Sequence, residues 1–391
     1  MTVILGDLFQ IGSSKRVLKS QWKTSGVPFY RGREITRLAA DGFVDNELFV
    51  SEEHFAALAG QSGVPKAGDI VITAIGTIGN TYIVRECDRF YFKDASVLWM
   101  KRTSKVSSEY INLWLKSPLF FDQLDKGNGA TVDTLTIQKL QSVRLSIPPL
   151  PEQQRIVAIL DAAFAEIATA KANAEKNLQN ARALFESHLQ SVFADSCEGM
   201  PTTLGEAYDV RDGTHDSPKF HDTGYPLVTS KNLKRDGLNF DAIKFISEQD
   251  YRKINERSAV NVGDVLFAMI GTIGNPVVVE DEPNFAIKNV ALFKVPSDQN
   301  SRFLRYFLSS EITLSRMKNE ANGTTQKFVG LGYLRKFPIK LPSLEKQRQR
   351  VKELDDFSAE TQRLESIYQQ KLATLDELKK SLLHQAFSGA L

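Results

Sequence analysis

The chain carries one plan twice. "KAGDIVITAIGTIGN" at 66–80 aligns without a gap with "NVGDVLFAMIGTIGN" at 261–275, and the hexapeptide IGTIGN is identical at 75–80 and 270–275. Further on, "GNGATVDTLTIQKLQSVRLSIPPL" at 127–150 aligns with "ANGTTQKFVGLGYLRKFPIKLPSL" at 321–344, now at a shift of 194. Nearer the front, Leu5-Gly6-Asp7 answers Leu204-Gly205-Glu206, and Pro28 answers Pro226. Self-similarity at a fixed spacing means that the chain must build the same supersecondary unit in two places.

Each copy closes with a segment of different texture. From Pro151, apolar residues recur at Ile156, Leu160, Ala163, Phe164, Ile167, Ala170, Ala174, Leu178, Ala181, Phe185, Leu189 and Val192, with no internal Gly or Pro. This spacing predicts a helix of about 40 residues, roughly 60 Å long at 1.5 Å per residue. Pro151 suits its first turn, where a missing N–H costs nothing, and Glu152 complements the helix dipole. The second copy has a matching stripe at Val351, Leu354, Phe357, Leu364, Tyr368, Leu372, Leu375, Leu378 and Leu382, ending near Phe387.

A stripe of this length cannot bury itself, so the two helices are expected to pack against each other. Packed antiparallel, they would return the C-terminus towards the N-terminus, make the molecule pseudo-twofold and nearly circular, and set the globular copies at opposite ends of a rod. The expected fold class is α+β: two globular domains separated by a pair of long antiparallel helices forming a coiled coil, as a pseudo-twofold internal repeat. The expected bounds are 1–150 for the first domain, 151–195 for the first long helix, 200–342 for the second domain and 343–388 for the second long helix.

Composition narrows the class. A 391-residue chain with 42% hydrophobic and 25% charged residues is globular and large enough for two or three domains. It has no apolar run of about 18 residues, and its first residues lack the basic-then-apolar order of an export signal, so a soluble, cytoplasmic protein without membrane contact is expected. Cys87 and Cys197 have no metal-like spacing and are expected to be free thiols, with neither zinc nor a disulfide. The net charge of +2 hides basic clusters. Lys15, Arg16, Lys19, Lys23, Arg31, Arg33 and Arg37 stand against Glu34 alone, and Arg316, Lys318, Lys327, Arg335, Lys336 and Lys340 against Glu320 alone.

Within the copies, "DIVITAI" and "DVLFAMI" read as buried strands, "SVLWMKR" and "VALFKVP" as a second matched pair, and "SEYINLWL" and "SRFLRYFL" as amphipathic helices. Two readings of the hexapeptide stand side by side. Gly76 and Gly79 permit a tight reversal after a core strand, and Asn80 tolerates unusual dihedrals. The same turn would let backbone N–H groups and the Thr77 or Thr272 hydroxyl approach a phosphate. Between the shared frames the copies diverge in polar loops, "IGSSKRVLKSQWKTSGVPFYRGREI" against "VRDGTHDSPKFHDTGYPLVTSKNL". Such loops on a retained scaffold suit readers of phosphates and base edges.

Catalytic chemistry is hard to find. "FVGLG" (Phe328 to Gly332) looks like the loop that holds S-adenosylmethionine in methyltransferases, but its aligned stretch "TLTIQ" at 134–138 has no glycine and no βαβ pattern follows. "IPPL" (Ile147 to Leu150) lacks the polar and aromatic residues of an amino-methyltransferase catalytic loop. His215 and His221 have no third metal ligand spaced nearby, and Asp69 and Asp264 do not precede the Glu-x-Lys of a metal-dependent nuclease. No G-x-x-x-x-G-K-[ST] loop is present, so ATP hydrolysis by this chain is not expected.

Two variable polar domains, each followed by a leader such as "IPPLPEQQRIVAILD" and a long helix, make the chain resemble the specificity (S) subunit of type I restriction-modification systems. The second leader, "LPSLEKQRQRVKELD", keeps the Leu-Pro, Gln347 and Leu-Asp positions and departs elsewhere; "RDGTHDSPKF" at 211–220 resembles an opening motif of one class of that family's target recognition domains. The resemblance covers essentially the whole chain. It implies a non-catalytic DNA-binding subunit, each domain reading one half of a bipartite sequence in double-stranded DNA. It further implies paired helices that set the gap and dock two methyltransferase (M) subunits, with restriction (R) subunits as further partners. No cofactor is then expected in this chain: S-adenosylmethionine would serve the M subunits, and ATP with Mg the R subunits.

On that basis Ser14, Lys15, Arg16, Arg31 and Arg33 in the first copy, and Arg211, Thr214, His215, Lys219 and Lys231 in the second, are the DNA-facing candidates. Gly76, Thr77, Gly271 and Thr272 are candidates for backbone approach to DNA. A coiled-coil scaffold binding other proteins, without sequence-specific DNA affinity, is the alternative. A self-sufficient methyltransferase, which would need "FVGLG" to bind cofactor, is a third reading.

Overall fold

The computed structural model describes residues 2–124, 134–194, 199–321 and 328–391; Cys197, Lys327 and the repeat segments 127–133 and 322–326 lie outside the described residues. The first copy runs β1 (Thr2–Ile4), α1 (Leu5–Leu8), β2 (Phe9–Gly12), β3 (Val27–Tyr30), α2 (Gly32–Asp41), β4 (Phe49–Val50), α3 (Glu52–Ser62), β5 (Ile70–Thr73) and β6 (Thr81–Ile83). It continues through β7 (Tyr91–Phe92), β8 (Val97–Arg102), α4 (Ser108–Trp114), α5 (Pro118–Leu124), α6 (Ile137–Ser142), β9 (Arg144–Ser146) and the long α7 (Leu150–Phe193).

The second copy follows as β10 (Met200–Thr203), α8 (Leu204–Ala207), β11 (Asp209–Asp212), β12 (Tyr225–Val228), β13 (Leu233–Lys234), β14 (Gly237–Leu238), β15 (Lys244–Ile246), α9 (Glu248–Ser258), β16 (Val265–Ala268) and β17 (Gly274–Val278). It ends with β18 (Ala286–Ile287), β19 (Val290–Lys294), α10 (Ser301–Ser309), α11 (Glu311–Asn319), α12 (Leu331–Lys336), β20 (Pro338–Leu341) and the long α13 (Leu344–Ser388).

The repeat seen in the sequence is a repeat of topology. The first copy has a four-stranded antiparallel sheet in the order β2-β8-β5-β6, a smaller sheet β4-β3-β7 in which β3 and β7 run parallel, and a two-stranded closure β1-β9. The second has β11-β19-β16-β17, β15-β12-β18 with β12 parallel to β18, and β10-β20. Each closure pairs the first strand of a copy with its last, so both ends of the domain lie together where the long helix departs.

The central strands are apolar on both faces because both faces are covered. Ile70 and Ile72 of β5 face a core with Phe9, Leu98, Met100 and Trp114, whereas Val71 faces a second core with Ile35, Leu38 and Tyr82. In β16, Val265 and Phe267 pack with Val210, Phe293 and Phe303, and Leu266 and Ala268 with Val228, Leu233 and Leu292. The side-chain period of two thus serves two cores at once. Truncating a fully buried side chain such as Phe267 to Ala would cost about 3–5 kcal/mol.

One element differs in kind between the copies. After β3 the first copy places helix α2 over β5 and β6; after β12 the second places the β13-β14 hairpin over β16 and β17. The repeated hexapeptide holds both. Asn80 donates from Nδ2 to the Thr36 hydroxyl of α2 at 2.9 Å, and Asn275 donates from Nδ2 to the Leu233 carbonyl of the hairpin at 3.0 Å. The two turns are not superposable in every dihedral, since Asn275 is left-handed (φ 47°) and Asn80 is not among the positive-φ residues.

The chain divides into two compact units, residues 1–174 with 370–391, and residues 175–369. In the first, Ile156 and Leu160 near the start of α7 share a core with Leu383, Ala386 and Phe387 near the end of α13. In the second, Val351 and Leu354 near the start of α13 share a core with Phe185 and Leu189 near the end of α7. Within each unit the two long helices therefore run antiparallel, tied by Lys171 to Asp376 in the first and by Arg182 to Glu365 at 3.0 Å in the second.

A buried glutamine latches each long helix to the domain before it. Gln153 accepts from the Ser107 N–H at 2.9 Å and donates to the Pro148 carbonyl at 2.9 Å. Gln347 accepts from the Asn300 N–H at 3.0 Å and donates to Pro342 O at 2.9 Å and Gln299 Oε1 at 2.7 Å. A buried amide satisfied at both ends is held in one geometry, because losing either partner leaves an unpaired polar group.

Candidate nucleic-acid interface

At one end of each main sheet, four connections converge: the loop after the first sheet strand, the start of the exchanged element, the hexapeptide turn and the turn joining the parallel strand to its neighbour. In the first copy the Ser14 hydroxyl donates to Phe92 O at 2.6 Å, the Ala95 N–H donates to Ser13 Oγ at 3.2 Å, and the Lys93 N–H donates to Tyr30 O at 2.8 Å. The Ala74 N–H donates to Ser96 O at 2.9 Å, and a Cβ on Gly32 would lie 3.7 Å from Ser96 O and 3.9 Å from Ile75 O. Residues 13–16, 31–33, 75–77 and 93–96 thus form one patch.

Its candidates divide by what they already hold. Ser14 is a brace for its loop, whereas Lys15 and Arg16 are exposed and make no ion pair among the described residues. Arg31 and Arg33 are tied down. Glu34, only 3% exposed, accepts from Arg31 Nε at 3.0 Å, from Arg31 Nη2 at 2.8 Å, from the Arg31 N–H at 2.9 Å, and from Arg33 Nε. Arg33 also reaches Glu47. Burial opposes the charge on Glu34, but the hydrogen bonds from Arg31 and Arg33 outweigh it and hold its carboxyl below the usual range. Two arginines and two glutamates cancel, so this part of the basic run is internally neutralised.

The hexapeptide tip is exposed at Ile75, Gly76 and Thr77, and at Gly271 and Thr272 in the second copy. Gly76 (φ 77°) and Gly271 (φ 76°) are left-handed, so a side chain there would be strained even with open space around Gly76. Thr73 holds the turn from inside, its hydroxyl donating to Thr77 O and accepting from the Asn80 N–H at 3.0 Å. The Thr77 and Thr272 hydroxyls have no partner among the described residues.

In the second copy the Thr214 N–H donates to Ile287 O at 3.0 Å, the Asn289 N–H to Thr214 O at 3.2 Å, and the Lys288 N–H to Val228 O at 2.9 Å. His215 lies between Asn289 Oδ1 and Asp212 Oδ2, each 2.8 Å from a ring nitrogen. Hydrogen bonds to Asn289 and Asp212 push its pKa above the ordinary histidine value. Arg211 is engaged by Asp209 at 2.6 and 2.9 Å and by Arg257 O at 3.2 Å. Thr214 caps a local turn by accepting from the Asp216 N–H at 3.1 Å. Lys219 and Lys231 are exposed and unpaired among the described residues. Thr214, His215 and Lys231 adjoin the 287–290 turn, and the register Ala268↔Val290 sets the Gly271-Thr272 tip beyond the same sheet end.

Sequence reasoning missed Lys93, Lys288, Ser230 and Asn289. The lysines carried a usable signal: they stand 195 positions apart, as the hexapeptides do, and each follows the parallel strand of its copy.

The catalytic decoys are structural. Asp69 accepts from the Lys66 N–H at 2.9 Å, Trp99 Nε1 at 2.8 Å and the Arg102 N–H at 3.0 Å; Asp264 accepts from the Asn261 N–H at 2.7 Å and Lys294 Nζ at 2.6 Å. In "FVGLG", Phe328 bridges Ile270 and the Val329 N–H donates to Met269 O at 2.9 Å, while in its aligned stretch Thr134 bridges Ile75 and the Leu135 N–H donates to Ala74 O at 2.8 Å. Both stretches pin the strand end that carries the hexapeptide.

A family model described as the type I restriction modification DNA specificity domain matches residues 1–178 and again 203–373. A Haemophilus influenzae protein bearing the name of a type I restriction enzyme specificity subunit is 34% identical over 158 residues, which span 40% of this chain and 38% of that protein. The EcoBI specificity subunit of Escherichia coli is 24% identical over 297 residues, spanning 68% of this chain and 62% of that subunit. The chain therefore matches less than two thirds of the length of these relatives.

Among solved structures, the fold matches a chain from a study of complex assembly and conformational transition in the type I R-M system, with TM-score 0.77 and 19% identity over 100% of this chain and 98% of that one. It also matches the HsdS subunit from Thermoanaerobacter tengcongensis, with TM-score 0.62 and 19% identity over 100% of this chain and 97% of that one. With one domain model matching both copies of its repeat, the chain belongs to the type I restriction modification DNA specificity domain family.

Proposed function

We propose that the chain is the non-catalytic subunit that gives a type I restriction-modification complex its DNA sequence specificity. Each domain reads one half of a bipartite target in double-stranded DNA, and the long helices set the gap between the halves and dock two methyltransferase subunits. The observation that carries this reading is one frame built twice with unlike polar ends: helix α2 in one copy, the β13-β14 hairpin in the other, anchored by the same asparagine. A shared frame gives both domains the same way of approaching a duplex, and unlike ends give them different sequences to select.

Lys15, Arg16, Lys219 and Lys231 serve as phosphate contacts in this reading, with Thr77 and Thr272 at the exposed turn tips. Arg31, Arg33 and Arg211 reach DNA by exchanging their carboxylates for phosphate. Ser14 and Thr214 hold the contacting loops, and His215 sets the Asn289 turn. Gly76 and Gly271 allow close backbone approach. S-adenosylmethionine belongs to the methyltransferase subunits, and ATP with Mg to restriction subunits where these join. Two helices latched at Gln153 and Gln347 suit a ruler, because each helix turn adds about 5.4 Å, or about one and a half base-pair steps.

The test is to co-express the chain with the methyltransferase subunits of its host, determine the stoichiometry and map methylated adenines across the genome. The expected result is two methyltransferase chains per chain of this protein and a split motif of two short half-sites. A continuous motif would contradict the bipartite reading, and no methylated motif would favour a scaffold that binds proteins without sequence-specific DNA affinity.

A further inference from the structure

Asn289 is held by every polar atom but one. It sits at a left-handed position (φ 55°) in the turn between β18 and β19. Its N–H donates to Thr214 O at 3.2 Å, its carbonyl accepts from the Ser230 hydroxyl at 3.2 Å, and its Oδ1 faces His215 Nδ1 at 2.8 Å. Only Nδ2 has no partner among the described residues. The side chain is half-buried, with exposed Lys231 next to Ser230 and the Lys288 ammonium on Ser217 Oγ at 2.6 Å. A donor fixed in direction beside cationic side chains is built to meet an acceptor on an anionic partner.

We propose that Asn289 is a DNA-contact residue of the second domain, donating from Nδ2 to an acceptor on duplex DNA, and that His215 is its positioning residue. The proposal rests on the DNA-reading function above. The acceptor is a base-edge nitrogen or oxygen, or a phosphate oxygen; both offer the same chemistry to an amide N–H.

The positioning role follows from valence. Both ring nitrogens of His215 face oxygen acceptors, Asn289 Oδ1 and Asp212 Oδ2, so only the doubly protonated ring satisfies both. The charged groups around it are Asp212 and, from the end of α9, Arg257, whose Nη2 lies 3.3 Å from Asp212 Oδ1. Arg211 on the same strand is engaged by Asp209, and Lys288 by Ser217. When the ring loses a proton, the N–H facing the Asp212 carboxylate is the one retained and Nδ1 becomes an acceptor, so the Asn289 amide is free to turn over and donate Nδ2 to the ring instead of presenting it to DNA. In the first copy the turn is two residues longer, Lys93-Asp94-Ala95-Ser96, its left-handed residue is Ala95 (φ 60°), and no histidine or asparagine stands in 12–16 or 93–96, so the device belongs to the second domain alone.

The test uses the complete methyltransferase complex with wild-type, Asn289→Gly and His215→Gln chains. Glycine accepts the left-handed dihedral, so the turn survives while the amide is removed. Methylated-adenine mapping gives the motif, and a duplex carrying it is the binding probe between about pH 6 and pH 8. Asn289→Gly is expected to lower affinity about tenfold. If the loss is confined to one base pair of one half-site, the acceptor is a base; if it is even across sequences, the acceptor is a phosphate. Unchanged selection at the other half-site shows that the complex is intact. Wild-type affinity should fall as pH rises, and His215→Gln should flatten that profile. A split motif read by Asn289→Gly with wild-type affinity and selectivity overturns the proposal while leaving the function standing; no split motif from the wild type removes the function itself.

Discussion

Asn80 Nδ2 lies 2.9 Å from Thr36 Oγ1, joining the last residue of the first hexapeptide to the helix that packs over it. In the second copy the equivalent amide joins Leu233 O instead. The hexapeptide is therefore a strand-end turn and a clamp for whatever element follows β3 or β12. Asn80→Ala should lower stability by about 1 kcal/mol in urea unfolding, the ordinary worth of one such bond. At Asn275 the left-handed dihedral adds to the loss, so Asn275→Ala should cost about 1 kcal/mol more than Asn275→Gly. Equal costs for the two substitutions would remove the dihedral from the explanation.

The glutamine latches make a second prediction. Gln153→Ala strands the Ser107 N–H and the Pro148 carbonyl, and Gln347→Ala strands the Asn300 N–H and the Pro342 carbonyl. Each should destabilise by about 2–3 kcal/mol. A denaturation midpoint no different from that of a surface substitution would show that the amides do not latch the helices.

Salt dependence should separate free from occupied bases. Lys15→Ala and Lys231→Ala should each reduce the slope of log affinity against log salt by about 1. Arg33→Ala should reduce it less, since Glu34 and Glu47 already offset that charge. Glu47→Ala, by releasing Arg33, should steepen the slope. Equal effects of Lys15→Ala and Arg33→Ala would show that the ion pairs do not restrain Arg33.

The first domain should also lose stability in acid through Glu34. Its folded carboxyl is held below the ordinary range, so its contribution is present above that range and is lost as pH falls through the folded value. Between about pH 5 and pH 3, the urea midpoint of the wild type should drop more steeply than that of Glu34→Gln. Parallel curves would assign the acid sensitivity to other groups.

Much of the architecture was legible because it rests on periodicity. The duplicated strands at 70–73 and 265–268 and the long helices at 150–193 and 344–388 follow from apolar spacing that tertiary packing reinforces. The exchange of α2 for a hairpin was not legible, since 31–41 and 229–238 differ in local propensity but occupy the same place only through the shared sheet. The pairing of Arg31 with Glu34 has a local sign, a glutamate three residues into a helix, but charge counting alone makes Glu34 only the minority charge in a basic run. The pairing of Arg33 with Glu47 had none, because it closes across 14 residues of loop. Asn289 carried no sequence signal, as its interest lies in three partners, Thr214, His215 and Ser230, brought from two other segments.

The most direct measurement concerns the ruler. Seven residues removed from each long helix, in the stretch between the Lys171–Asp376 and Arg182–Glu365 pairs, would keep the apolar faces in register to within about 20° and shorten each helix by about 10 Å. With methylated adenines mapped before and after, the half-sites should keep their sequences while the gap between them contracts by about three base pairs. The same half-sites at an unchanged separation would contradict the proposal that the helices set the gap.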